Sequence, residues 1–161
     1  MVHSIEDLNL AEKLVFIRVD FNVPLEGGRI TDDTRIRAAL PTLRYAIAQG
    51  AKVLLASHLG RPKGKKAPEF SMAPVRVRLE ALLGQEILLA PDCIGEEVQR
   101  QVAQLQPGQV LMLENVRFYK EEEANDEAFA KKLANGAQVY IDDAFGALHR
   151  CLLYTSPSPR D

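Results

Sequence analysis

The stretch Val15-Phe-Ile-Arg-Val-Asp-Phe-Asn-Val-Pro24 constrains the fold most strongly. It opens as a run of apolar and β-branched residues, the signature of a buried strand, and changes at its C-terminal end to Asp20, Asn22 and the turn-former Pro24. The pattern returns at Lys52-Val-Leu-Leu-Ala-Ser57, at Gln109-Val-Leu-Met-Leu-Glu114 and at Val139-Tyr-Ile-Asp142. Each apolar run ends in polar groups. In an open parallel α/β sheet, ligands bind in the crevice outside the carboxyl ends of the strands, so such ends are the first place to look for a site.

Helical patterns separate the runs. Thr31-Asp-Asp-Thr34 offers several N-caps, and Ile36, Leu40, Leu43 and Ile47 form a stripe that stops at Gly50. Pro41 interrupts this stripe, which predicts a regular helix from about Pro41, preceded by a looser turn that carries Arg35 and Arg37. Ser71 caps a second pattern through Met72, Val75, Leu79 and Leu82, closed by Gly84, and Ile87–Ala90 reads as a short strand. Val98, Val102 and Leu105 mark a third helix, and Phe129 and Leu133 a fourth, capped at Asn125-Asp126. Glu26-Gly-Gly-Arg29 reads as a turn and Lys63–Phe70, rich in Lys, Gly and Pro, as a mobile loop. Strands that alternate with helices argue for an α/β fold: an open parallel sheet with helices on both faces. From Cys151 to Asp161 the periodicity ends, and an unstructured segment is expected.

Composition narrows the function classes. A net charge of -2 provides no general attraction to nucleic acid or anionic membrane, so a positive site must be local. Two cysteines, Cys93 and Cys151, are too few for a disulfide framework and lie in no metal-ligand spacing. With no apolar run of membrane-spanning length and no signal-peptide order at the N-terminus, a cytoplasmic protein is expected.

If the strands are parallel, their polar ends gather on one edge: Asp20 and Asn22; Ser57, His58 and Arg61; Asn115 and Arg117; Asp143 and Arg150. Arg35 approaches from the turn after the first strand. Arginine presents a planar fork of donors that matches phosphate and carboxylate oxygens, so this set suits a small, multiply charged anion. Gly60 and Gly146 let backbone N–H groups come close to the same ligand. Asp20, an acceptor-only group, repels phosphate and suits a ligand hydroxyl, or else pairs with an arginine. Arg18 and Arg37 are read as structural, as is Asp142-Asp143. The Gly60–Lys66 segment lacks the spacing of a phosphate-binding P-loop, and the charge balance gives it no footprint for nucleic acid.

RVDFNVP, TRIRAALPT, SHLGRP, LENVRF and DDAFGALHR, in this order and spacing, resemble the N-terminal domain of the phosphoglycerate kinase family over about residues 5–150. The resemblance implies a Rossmann-like three-layer domain, incomplete at its C-terminal end, that binds 3-phosphoglycerate or 1,3-bisphosphoglycerate. It implies a second domain, absent from this sequence, that binds Mg-ATP or Mg-ADP, and a full-length enzyme that is monomeric. By motif, Asp20, Phe21 and Asn22 lie at the triose site, with Asp20 near the substrate hydroxyl. Arg35 stands beside the transferring phosphoryl group as the catalytic residue. His58, Leu59, Gly60 and Arg61 line the phosphate pocket, which Arg117 and Arg150 complete. No metal ligand is expected among these residues. The pattern breaks after Arg150, so residues 1–150 are expected to be a partial triose-phosphate domain and 151–161 a non-native tail, with no kinase activity in the fragment alone. A non-catalytic anion-binding or interaction module on the same fold is the alternative.

Overall fold

The computed structural model describes residues 2–3, 9–60, 68–119, 127–134, 136–143 and 150–153. The parallel strands are β2 (Leu14–Val19), β5 (Lys52–Ala56), β6 (Leu88–Leu89), β7 (Val110–Met112) and β8 (Val139–Asp143), and the helices are α1 (Thr34–Ala48), α2 (Ala73–Leu83), α3 (Glu96–Ala103) and α4 (Glu127–Ala134). A small hairpin, β3 (Leu25–Glu26) with β4 (Arg29–Ile30), and two further strands, β1 (Val2–His3) at one edge of the main sheet and β9 (Arg150–Leu153) next to it, complete the described strands. The main sheet has the order β1-β9-β8-β2-β5-β7-β6. From β8 to β6 every pairing is parallel, whereas β9 pairs antiparallel with β8, and β1 with β9.

β2 shows why the architecture has three layers. Val15, Ile17 and Val19 pack on one face with Val53, Leu55, Val110, Met112 and Ile141, under Ile36, Leu40 and Leu43 of α1 and Val75 and Leu79 of α2. Phe16 packs on the opposite face with Leu54, Ala56 and Leu111, under Val98 of α3 and Leu133 of α4. Both faces of the strand are dry, since Val15, Phe16 and Ile17 are all fully buried. Removing such a side chain from water contributes about 1.5–3 kcal/mol. The connections β2→β5 and β5→β6 step toward one edge with helices on the first face. The steps β6→β7 and β7→β8 return with helices on the second face. This is the pattern that a single crossover hand requires.

Several local expectations are revised. α1 begins at Thr34, seven residues before the predicted start, and contains Pro41. The missing N–H and the Arg37 carbonyl it would have met lie on the exposed side, where water can serve the carbonyl, while Ile36, Ala39, Leu40, Leu43 and Ala46 hold the helix down. The N-cap residue Asp33 makes no capping bond; Asp32 instead accepts from the Thr34 N–H at 2.9 Å and hydroxyl at 2.6 Å. Asp33 turns to Arg37 at 2.9 Å and to Arg78 of α2 at 2.8 Å, tying the two helices of one face together. Gly27 and Gly28, with φ of 57° and 79°, form the tight turn of the β3–β4 hairpin. The Ile87–Ala90 strand shrinks to Leu88–Leu89. The segment expected to be unstructured from Cys151 is corrected at its start, because the backbone of Arg150–Leu153 pairs with β8 on one side and with β1 on the other. An antiparallel partner needs only an open edge of β8, and no periodicity of its own over so few residues. Residues 154–161, the predicted Lys63–Ala67 loop segment and the Asn125-Asp126 cap lie outside the described residues.

Two outcomes follow. Proline costs about 3 kcal/mol relative to alanine inside a helix, offset by about 1 kcal/mol of unfolded-chain entropy. Pro41→Ala should therefore raise stability by about 2 kcal/mol in urea unfolding. The Arg37 and then the Arg78 hydrogen bonds hold the Asp33 carboxyl below its ordinary pKa. Its contribution is then present above the unfolded-state value and lost as pH falls through the lowered folded value. Wild type should exceed Asp33→Asn in stability at neutral pH, and the gap should close below about pH 4 in parallel unfolding curves.

Candidate active site at the strand tips

The parallel register sets the site. Arg18 of β2 lies opposite Ala56 of β5, Val19 opposite Asp143 of β8, and Leu55 of β5 opposite Met112 of β7, so these strands end on one edge. Past that edge two backbone bonds, Leu113 N–H to the Leu55 carbonyl and Val116 N–H to the Ser57 carbonyl, are joined by side chains that stitch the strand tips together. Ser57, buried at the β5 tip, accepts from the Phe21 N–H at 2.9 Å and donates to the His58 carbonyl at 3.0 Å. The Asn22 side-chain oxygen accepts from the Gly60 N–H at 2.8 Å. Gly60 has φ of 63°, and a Cβ there would overlap the ring of Phe70. Two separate constraints thus require glycine at this point.

Asp20 is the acidic residue at the β2 tip. Its Oδ1 accepts from the Asn22 N–H at 3.0 Å and from Arg35 Nη1 at 3.2 Å, while the same Nη1 donates to the Asn22 carbonyl at 2.9 Å. Arg35 sits in the first turn of α1, yet its guanidinium reaches back over the β2 tip, as expected for a residue serving the strand ends. Both side chains are accessible, 52% for Arg35 and 25% for Asp20, so their pairing adds little stability and holds the guanidinium in place. Among the described residues Asp20 Oδ2 accepts no bond and remains available as an acceptor.

Of the predicted set, Asp20, Asn22, Arg35 and Gly60 are joined in one hydrogen-bonded group. His58 follows Ser57 at the β5 tip, half-buried, and Arg117 lies in a single 3₁₀ turn, Val116–Phe118, beyond β7. Phe21 and Leu59 turn their side chains into the core, so they offer backbone to the edge. Arg61 lies outside the described residues; Arg150 is placed by its backbone at the start of β9. The structure adds residues that the motif reading left out of the site. Glu114 accepts from the Ser71 hydroxyl and the Met72 N–H, both at 2.7 Å, and holds α2 to the β7 tip. Asn115 is fully buried. Both directly follow an apolar strand, a signal the sequence displays but does not rank.

Comparison with known proteins bears on the family and the fold. The profile for phosphoglycerate kinase matches residues 5–154. The chain belongs to the phosphoglycerate kinase family. It is 61% identical over 150 residues to the phosphoglycerate kinase of Geotalea daltonii, covering 92% of this chain and 37% of that protein. It is 59% identical to the cytosolic phosphoglycerate kinase of Triticum aestivum over 92% of this chain and 37% of the relative. The crystal structure of phosphoglycerate kinase from Pyrococcus horikoshii superposes with a TM-score of 0.79 at 35% identity, over 88% of this chain and 36% of that one. The structure from Coxiella burnetii gives 0.78 at 42% identity, over 90% and 36%. The chain thus spans little more than a third of the length of the phosphoglycerate kinases it matches.

Gly60→Ala should be destabilised by about 2–4 kcal/mol, adding a left-handed backbone penalty to displacement of the Phe70 ring. Gly27, with φ of 57° and nothing within 4 Å of a built Cβ, isolates the backbone part. In chemical unfolding Gly60→Ala should lose more stability than Gly27→Ala; equal losses would mean that Phe70 yields freely.

Proposed function

We propose that this chain supplies the 3-phosphoglycerate side of a phosphoglycerate kinase, which transfers a phosphoryl group reversibly between 1,3-bisphosphoglycerate and ADP. The observation that carries the reading is the grouping of Asp20, Asn22, Arg35 and Gly60 by hydrogen bonds at the tips of β2 and β5, within a chain of this family. A hydroxy acid phosphate asks for both signs at once: cationic forks for phosphate and carboxylate, and an acceptor for the hydroxyl. Arg35 and Arg117 provide the first, together with Arg61, Arg150 and His58, and Asp20 the second.

Phosphoryl transfer depends on positioning and charge stabilisation more than on a protein nucleophile. Arg35 is the catalytic residue in this reading. It enters the site as a fixed positive charge on an accessible side chain, anchored through one nitrogen at Asp20 and the Asn22 carbonyl, and it stabilises charge that builds on the phosphoryl oxygens. Family membership implies a magnesium nucleotide as co-substrate. The described residues of this edge do not fit a magnesium ion: no three His, Cys, Asp or Glu side chains among them come together as ligands, and Asp20 faces the Arg35 guanidinium, whose charge opposes a second cation. In this reading the nucleotide is held by the further length of the family's proteins, and residues 1–161 alone bind the triose without turnover of ATP.

Titration calorimetry on the 161-residue chain should show 3-phosphoglycerate bound selectively over inorganic phosphate. Equal binding of the two would favour a general anion-binding module. In a full-length kinase carrying this domain, Arg35→Ala should lower kcat by about 100-fold or more with a much smaller change in the affinity for 3-phosphoglycerate. Unchanged turnover would remove Arg35 from the catalytic role.

A further inference from the structure

β5 and β7 are neighbours in the sheet, yet the helices that follow them, α2 and α4, cover opposite faces. Among the described strands this is the point where the winding reverses, and the two tips must be joined past the end of their ladder. The side chain of Asn115 bridges them. Its Oδ1 accepts from the N–H groups of Leu59, at 3.2 Å, and Arg117, at 3.0 Å, and its Nδ2 donates to the carbonyls of Leu59, at 2.7 Å, and Phe70, at 2.9 Å. The residue is 0% exposed. Two N–H partners on one atom and two carbonyl partners on the other fix which way the amide faces.

The ladder between β5 and β7 stops near Leu55 and Met112, and the backbone bonds Leu113 N–H to Leu55 and Val116 N–H to Ser57 extend it a little further. Asn115 then replaces a peptide group. It meets both the N–H and the C=O of Leu59, as a facing strand would. Leu59 is followed by Gly60, whose N–H is bound by Asn22, and Asn22 in turn is bound to Arg35. On the other side Asn115 sets the peptide of Arg117.

We propose that Asn115 is a positioning residue of the anion site: its buried amide fixes the Leu59–Gly60 backbone against Arg117, so that the β5 and β7 tips meet a ligand as one surface. The inference rests on the triose-phosphate reading. It adds a residue that touches no ligand and acts through three strand tips.

The informative substitution is Asn115→Asp. It keeps the shape but sets an acceptor against two carbonyls; only the protonated carboxyl can restore one donor. Burial disfavours the charged form, so the variant should recover at lower pH. By calorimetry of the 161-residue chain at pH 8, Asn115→Asp should bind 3-phosphoglycerate at least about tenfold more weakly than wild type, the cost of an unmade buried hydrogen bond. The variant to wild-type affinity ratio should rise toward one as pH falls to about 5, and taking the ratio cancels the titration of the ligand's own phosphate. A ratio near one at every pH, with wild type still binding selectively, would overturn the positioning role and leave the site reading intact. A wild type without selective binding would overturn both. Should the variant fail to fold, NMR on the wild type decides: the Asn115 side-chain NH2 signals should shift with the Gly60 and Arg117 amides on saturation with 3-phosphoglycerate. Asn115 signals that stay fixed while those amides move would overturn the proposal.

Discussion

Burial of β2 on both faces is the constraint on which the rest depends. A strand dry on one side can be satisfied by a single layer of helices. Val15 and Ile17 point one way and Phe16 the other, and all are sealed from water, so helices must cover both sides. Helices on both faces come from crossover connections, and crossovers make neighbouring strands parallel. Parallel strands end on the same edge. The gathering of polar residues at the tips is therefore a consequence of apolar burial in the middle of the sheet.

At that edge the means of cohesion changes. Within the sheet the backbone ladder carries the pairing, and beyond Val19, Ala56 and Met112, where only a few backbone bonds continue, three side chains add to it: Ser57, Asn22 and Asn115. Each binds backbone of a neighbouring tip, two of them buried, where an unmade bond would be costly. The exposed Asp20–Arg35 pair contributes differently. It adds little to stability and instead keeps a cation in a set position with its charge accessible. Rigid neutral amides below and an accessible guanidinium above form the support that an anion site needs.

Asp20, Asn22 and Gly60 were legible in the sequence because each follows an apolar run, where a buried strand has no other use for polarity or for glycine. That Arg35 reaches the strand tips was legible, although its helix starts earlier than expected: Pro41 looks like a helix start, and only the solvent-facing position of its ring makes it tolerable inside one. The strand Arg150–Leu153 carries no period because its pairing depends on the side of β8 left open by β2, a property of the sheet and not of those residues. Asn115 was visible at a strand end but carried no weight there, since its four partners come from Leu59, Phe70 and Arg117, two of them remote in the chain.

The sequence by itself determined the α/β class, the parallel strands, the edge on which the polar strand ends gather and the resemblance to phosphoglycerate kinases. All of these follow from local patterns, apolar runs with polar ends and helical stripes between them, which hold whatever the rest of the chain does. Only the tertiary structure decided the strand order, the junction of the β5 and β7 tips and the residue that bridges them. Those depend on which elements become neighbours, and a buried amide has a role only when the backbone groups it satisfies have been brought beside it.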